Sequence, residues 1–217
     1  MQTLTEKIFR LAPPGGLFDE SVIRTAFPEK SPGARQLLVH RAVRHGEVVR
    51  LKPGLFILAG DICGAQAHPF VVAAALHSPS HISLESALAY HGLIPEAVFG
   101  VVSVTSRRAR EFKTPIGQFT FVRVPADNPM AGVRSVRIDN DAWAFVAGPI
   151  RTIADLIYIR KDVSWEDDGL AFLTESLRIE EEDLCEISMD EIDEVVESIR
   201  SKRVGRYLIG MRNEVEA

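Results

Sequence analysis

Cysteine is almost absent from this sequence. Cys63 and Cys185 are its only two, far apart and in no C-x-x-C spacing. A disulfide scaffold and a zinc cluster are therefore excluded, and two buried free thiols are the expectation. Long apolar runs are also missing. The longest, Pro69 to Leu76, is less than half of the roughly 18–20 residues that cross a bilayer. The N-terminal stretch MQTLTEKIFRLAPPGG carries Glu6 and lacks the apolar region of a signal peptide, so a cytoplasmic protein is expected. No phosphate-binding Gly-rich loop, G-x-S-x-G elbow or dinucleotide fingerprint occurs, and neither an enzyme nor a cofactor is expected.

Charge is present but unevenly placed. The net charge of −5 over 217 residues conceals two basic segments and one acidic one. Residues 1–60 hold nine Lys/Arg against five Asp/Glu, giving 9 − 5 = +4. Residues 98–137 hold seven against two, giving +5. Residues 161–197 hold two against fifteen, giving −13. The first segment suits a polyanionic partner, and the last would be repelled by one.

The first 60 residues carry the most local information. Leu4, Ile8 and Leu11 mark one face of a short helix. The helix-like run LFDESVIRTAF, with Asp19 or Ser21 as its cap and Val22, Ile23, Ala26 and Phe27 as its apolar side, stops at Pro28. A second run, ARQLLVHRAVRHG, ends at Gly46. VVRL, Lys52-Pro53-Gly54 and LFIL then read as a tight hairpin. Helix, turn, helix, hairpin is the order of a winged helix-turn-helix, whose second helix enters the DNA major groove. With Leu38, Val39, Ala42 and Val43 buried, Arg35, Gln36, His40 and Arg44 are expected to face outward. Arg35 and Gln36 have the side chains that read base edges, while Ser31, Arg44, Arg50 and Lys52 suit phosphates.

Residues 59–68 read as a linker. HPFVVAAAL reads as a short buried helix, and ISLESALAYHGL as another with Ser83 as cap and Gly92 as stop. VVSVTS, FTFVRVP, VRSVRI and WAFVA read as strands. PIRTIADLIYI follows as a helix with an Ile150, Ile153, Ala154, Ile157 stripe, and Arg151 and Asp155 are expected to pair on its other side. The tail is helical. Ser164 is a cap ahead of Leu170, Leu173 and Leu177, and Ser188 with Glu191 has capping-box spacing. The run RVGRYLIGM shows no clear polarity.

Other chemistry-bearing residues have simpler structural explanations. His77 and His81 are four apart, but Pro79 between them breaks a shared helix, so no metal site is expected. His91 reads as a hydrogen-bonded core histidine. Asp139 and Asp141 resemble a Mg²⁺-binding carboxylate pair, yet Asp-Asn-Asp between two strands is an ordinary turn. Ser83, Glu85 and Ser86 fit helix capping better than catalysis. Arg107, Arg108, Arg110 and Lys113 form a basic loop that could meet phosphate or RNA, or simply be solvated. The acidic tail is either a solvated helix face or a docking face for a basic partner.

Taken in order, three stretches resemble the AbiEi family, the antitoxin half of AbiE-type (type IV) toxin–antitoxin systems in phage defence. These are HRAVRHGEVVRLKPGLFIL, HISLESALAYHGL, and the block from VTSRRAREFKTPIGQFTFVRVP to GPIRTIADLIYI. The similarity spans about residues 18–160. Ile150-Arg151-Thr152 departs from it where the family often has a Glu-Lys pair, and residues 161–197 match none of its motifs. The resemblance implies a repressor that binds inverted repeats in double-stranded DNA upstream of its own operon. It further implies an antitoxin that counters a nucleotidyltransferase-like toxin without a stable complex. It places DNA contacts at Ser31, Arg35, Gln36, His40, Arg50 and Lys52, and an antitoxicity surface at Arg107, Arg108, Arg110 and Lys113.

The expectation is thus an α/β (α+β) protein with a winged helix-turn-helix at 1–60. A mixed domain at 65–217 follows, with a small, mostly antiparallel sheet flanked by helices. The rival functions are a ligand-sensing winged-helix regulator, a DNA-tethered nuclease or nucleotidyltransferase, and a structural adaptor.

Overall fold

Thr3 and Glu6 open the first helix, α1 (Leu4–Leu11), with a capping box. The Glu6 N–H donates to Thr3 Oγ1 and the Thr3 N–H to Glu6 Oε2, which satisfies two backbone donors the helix leaves over. Leu4 and Ile8 are buried, but Leu11, expected beside them, is exposed. It is the last helical residue, and the chain turns away at Ala12 in the left-handed region. The computed structural model describes residues 3–63, 67–95, 99–139 and 142–216. By internal contacts the chain divides into two units, residues 1–78 with 112–118 and 137–144, and residues 79–111 with 119–136 and 145–217.

In the first unit a short strand, β1 (Leu17–Asp19), precedes α2 (Glu20–Ala26). Asp19 caps α2, accepting from the Ser21 and Val22 N–H groups. Helix α3 (Pro32–Arg44) starts two residues earlier than the apolar pattern implies, because Ser31 caps it and Pro32 occupies its first turn. It ends in a Schellman motif. The Gly46 N–H donates to the Val43 carbonyl and the Glu47 N–H to the Ala42 carbonyl, with Gly46 at φ +73°. Strands β2 (Val48–Lys52) and β3 (Leu55–Leu58) form the expected hairpin. β1 pairs with β3 on its far side, giving an antiparallel sheet ordered β1-β3-β2. Ile8, Phe18, Ile23, Phe27, Val39, Ala42, Phe56 and Leu58 make its core, with the Phe18 and Phe56 rings stacked at 5.6 Å. Residues expected as linker include helix α4 (Gly60–Cys63), and α5 (Pro69–Leu76) follows, capped by His68.

The second unit begins with β4 (His81–Ile82) and α6 (Leu84–Tyr90). β4 belongs to a six-stranded sheet with β5 (Val101–Thr105), β6 (Arg110–Thr114), β7 (Gly117–Arg123), β8 (Val133–Asp139) and β9 (Ala142–Ala147), ordered β6-β7-β5-β4-β9-β8, of which residues 112–118 and 137–144 are counted with the first unit. The sheet is mixed. β4 runs antiparallel to β5, but β5·β7 and β4·β9 are parallel. The physical reason is that β6 passes outside β7 instead of pairing back onto β5, so β5 and β6, like β7 and β8, are consecutive in sequence but not neighbours in the sheet.

Helix α7 (Pro149–Ile159) is buried from Ile150 to Ile157. Around it pack α8 (Trp165–Asp168), a π-helical turn at Phe172–Ser176, α9 (Glu181–Glu186), α10 (Ile192–Ser198) and α11 (Lys202–Val215). Several tail expectations change. Ser164 does cap α8, but that helix stops at Gly169, before Leu170. The Ser188–Glu191 capping box does not form, because Ser188 Oγ donates to Asp190 Oδ2 instead. α11 has a clear apolar face of Val204, Tyr207, Leu208 and Met211, split in sequence by Arg206 and Gly210. The Arg203 guanidinium donates to the Ile157 and Arg160 carbonyls at 2.7 and 3.0 Å, satisfying the C-terminal end of α7. Burial pushes the Tyr207 phenol pKa up, and its hydroxyl donates to the Gly169 carbonyl. Cys185 is exposed on α9, correcting the expected burial, since Leu184 takes the inward position. The side chain of Cys63 lies outside the described residues. No helix among the described residues is long and apolar enough to cross a membrane.

Gly132 has φ +66°, and a Cβ there would stand 2.8 Å from both Arg151 Cβ and Val195 Cγ2. Gly132→Ala should therefore cost about 2–4 kcal/mol, combining backbone strain with overpacking. Urea denaturation of the variant beside the wild type measures it.

Candidate functional site

The apolar spacing of α3 decides which of its side chains reach solvent. Val39 and Ala42 are buried and Leu38 half-buried, so Gln36, His40 and Arg44 project outward as expected, with Arg41 and Leu37 beside them. Arg50 is exposed on β2. Ser31 is exposed too, but its Oγ accepts the Ala34 N–H at 3.3 Å as the helix cap.

Two expected contact residues are turned inward. Arg35 is only 9% exposed. Its Nη1 donates to the Lys30 carbonyl at 2.6 Å and the Phe27 carbonyl at 3.5 Å, while Glu20 lies 3.9 Å from its Nε. Arg35 thus closes the C-terminal end of α2 and fixes the turn between the helices. This corrects its expected outward position. The side chain bends back because the α2–α3 turn leaves carbonyls that need a donor. Lys52 is likewise engaged within its own unit. Its Nζ donates to the Leu76 and Ala75 carbonyls at 2.6 and 3.2 Å, where a cation suits the C-terminus of α5. It also lies 6.0 Å from the Phe112 ring centroid. These carbonyls come from chain more than 20 residues away in sequence.

The basic patch at 107–113 is exposed but is not simply a loop. Arg107 and Arg108 lie in the turn before β6, whereas Arg110 and Lys113 lie in that strand. Three positions apart on a strand, Arg110 and Lys113 fall on opposite faces, which corrects the picture of a single patch. β6 is a sheet edge, where charged residues also discourage strand addition.

Sequence reasoning missed a buried polar cluster. Asp155, on α7, receives Arg151 Nε at 3.0 Å on Oδ1. Its Oδ2 accepts the Ser83 hydroxyl at 2.7 Å and lies 3.3 Å from His81 Nε2. Arg151 Nη1 also donates to the Ala131 and Pro129 carbonyls at 3.0 and 3.2 Å, while its Nη2 is buried without a partner. Arg151 and Asp155 do pair as expected, but both are 0% exposed. Ser83 sits at the N-cap of α6 yet makes no cap bond, because its hydroxyl is spent on Asp155. Leu84 beside it takes φ +56°, a strained backbone for a leucine. The one sequence signal was an i, i+4 Arg–Asp pair set among apolar residues on every side.

Chemically, this cluster is a clamp. Ser83 and His81 both bind the carboxylate, so the serine is not aligned on the imidazole as nucleophile on base, and the group is sealed from solvent. Burial alone raises the Asp155 pKa, but the Arg151 charge, His81 and Ser83 outweigh it and hold the carboxyl below its ordinary 3.8. Elsewhere, Ser86 Oγ accepts the Val102 N–H and Glu85 is half-buried. His91 bonds the Ala147 carbonyl at 2.7 Å but sits at an exposed helix end, not in the core. Among the described residues no group of three His, Cys, Asp or Glu side chains gathers as metal ligands. His77 closes α5 while His81 lies in β4. Asp141 and the Asp139 side chain lie outside the described residues. No protein-family model matches the chain, and no curated protein matches it.

Three outcomes are expected. Asp155→Asn leaves the Arg151 charge buried without its counter-ion and should cost about 3–5 kcal/mol in chemical denaturation. In the wild type, the unfolded chain binds a proton at Asp155 at a higher pH than the folded one. The clamp's stabilisation is therefore full above the ordinary carboxylate pKa and lost as pH falls through the folded value. Thermal melts from pH 6 to pH 2 should show a decline that is smaller in Asp155→Asn. Arg35→Ala should lower the melting temperature of the full chain, because it removes the guanidinium donor from the Lys30 carbonyl at the α2–α3 turn.

Proposed function

We propose that this chain is a DNA-binding transcriptional repressor that acts through a winged helix-turn-helix in its first unit. The observation that carries the reading is the solvent face of α3. It presents Gln36, His40, Arg41 and Arg44, and the helix from Pro32 to Arg44 contains no carboxylate. Such a face meets phosphates favourably and offers donors to base edges. The order α1, β1, α2, α3, β2, β3, with the sheet arranged β1-β3-β2, supports it as the architecture in which a helix is presented beside a hairpin wing. Arg50 on β2 supplies a wing phosphate contact. The resemblance to AbiEi proteins extends the proposal: the chain represses its own operon at inverted repeats and acts as the antitoxin against a nucleotidyltransferase-like toxin.

A ligand-sensing regulator is the second reading. It is favoured by a pocket of about 330 Å³ in the second unit, at the N-terminus of α7, where His91, Arg134, Asp183 and Glu191 surround Leu93 and Ile150. That volume is at the low end for small-molecule sites.

The test is an anisotropy titration of the full chain against DNA from upstream of its own gene, over a salt series, beside a scrambled duplex. Tight, selective, salt-sensitive binding is expected. Gln36→Ala should cost about 1–3 kcal/mol on the selective duplex alone. Arg44→Ala and Arg50→Ala should weaken both duplexes and each reduce the salt slope by about one. Equal affinity for the two duplexes would reject the repressor reading.

A further inference from the structure

At 3.6 residues per turn, Gln36, His40, Arg44, Leu37 and Arg41 form one continuous solvent arc of α3, about 140° wide. Leu37 lies inside this arc, and it is 49% exposed. Its neighbours on the arc are cations, an imidazole and an amide, and Val43 at the edge of the arc is 36% exposed. With Arg35 turned into the helix–helix turn by its bonds to the Lys30 and Phe27 carbonyls, the N-terminal half of the helix keeps two side chains able to meet a base edge, Gln36 and Leu37. The amide of Gln36 matches the N6 and N7 groups of adenine. An aliphatic side chain in the major groove finds one apolar partner, the C5 methyl of thymine.

We propose that Leu37 is a specificity-determining residue that reads a thymine methyl group, beside an adenine read by Gln36, so that each half-site carries adjacent A·T pairs at the N-terminal end of α3. The occupant of this face is B-form DNA. The charge complementarity of Arg41 and Arg44 with phosphate carries that choice, and the proposal rests on the DNA-binding reading above. A guanine-reading arginine is not part of the first turns of the helix, because the guanidinium of Arg35 is committed to the protein's own carbonyls.

Deoxyuridine differs from thymidine only in lacking the C5 methyl, which isolates the contact. The full-length protein is used to select a duplex from a random-core library. Each thymine of that duplex is then replaced singly by deoxyuridine, and affinities are measured for wild type and Leu37→Ala. At one or more positions the wild type should lose about fourfold, the value of burying a single methyl. At the same positions Leu37→Ala should bind the thymine and uracil duplexes alike, with its melting temperature and salt slope unchanged. A wild type indifferent to every replacement, or a Leu37→Ala protein that still loses fourfold, overturns the methyl contact while leaving selective DNA binding intact. Failure to enrich any sequence overturns the DNA-binding reading, and this inference with it.

Discussion

A buried carboxylate organises the second unit. Asp155 is sealed from water, and its oxygens hold Arg151 on the same helix, Ser83 at the entrance to α6 and His81 on β4. Through Arg151 the same pair reaches the carbonyls of Pro129 and Ala131. An ion pair with these partners stays charged inside an apolar core because every charge on Asp155 meets a donor, and removing one partner leaves the others uncompensated. α7 is thereby fixed in position as well as buried. The remaining helices pack their apolar faces around it, Ile192, Val195, Tyr207 and Leu208 among them, and Arg203 closes its C-terminal carbonyls.

The first unit solves a similar problem with a different cation. Two helices joined by a tight turn leave carbonyls facing inward there, and Arg35 donates from the first turns of α3 to two of them, those of Phe27 and Lys30. The spacing of the helices is set by that side chain and by Ile23, Phe27, Val39 and Ala42 beneath it. What remains for solvent is a face of amide, imidazole, guanidinium and aliphatic groups. The proposed function relies on this separation, in which one arginine holds the helix so that its neighbours are free to meet another molecule.

Much of this was legible residue by residue. Asp19 and Ser164 cap the helices they precede, Gly46 ends α3, Pro149 begins α7, and the Pro53-Gly54 turn makes its hairpin. These signals act over a few residues, where propensity and hydrogen-bond geometry suffice. The candidate face was legible in part: Gln36, His40, Arg44 and Arg50 are exposed where periodicity put them, while Arg35 and Lys52 are not free and Leu37 had no reason to attract notice.

The sequence by itself determined the turns, the caps, the apolar stripes and the separation of charge along the chain, because each depends on neighbours within about a helical turn. The tertiary structure alone decided the parallel pairings of β5 with β7 and β4 with β9, the inward turn of Arg35 and Lys52, the burial of the Arg151–Asp155 pair and the exposure of Cys185. A polar side chain finds its partners among carbonyls and carboxylates that the fold brings from elsewhere. Whether it faces water or protein is fixed only once those distant groups are in place.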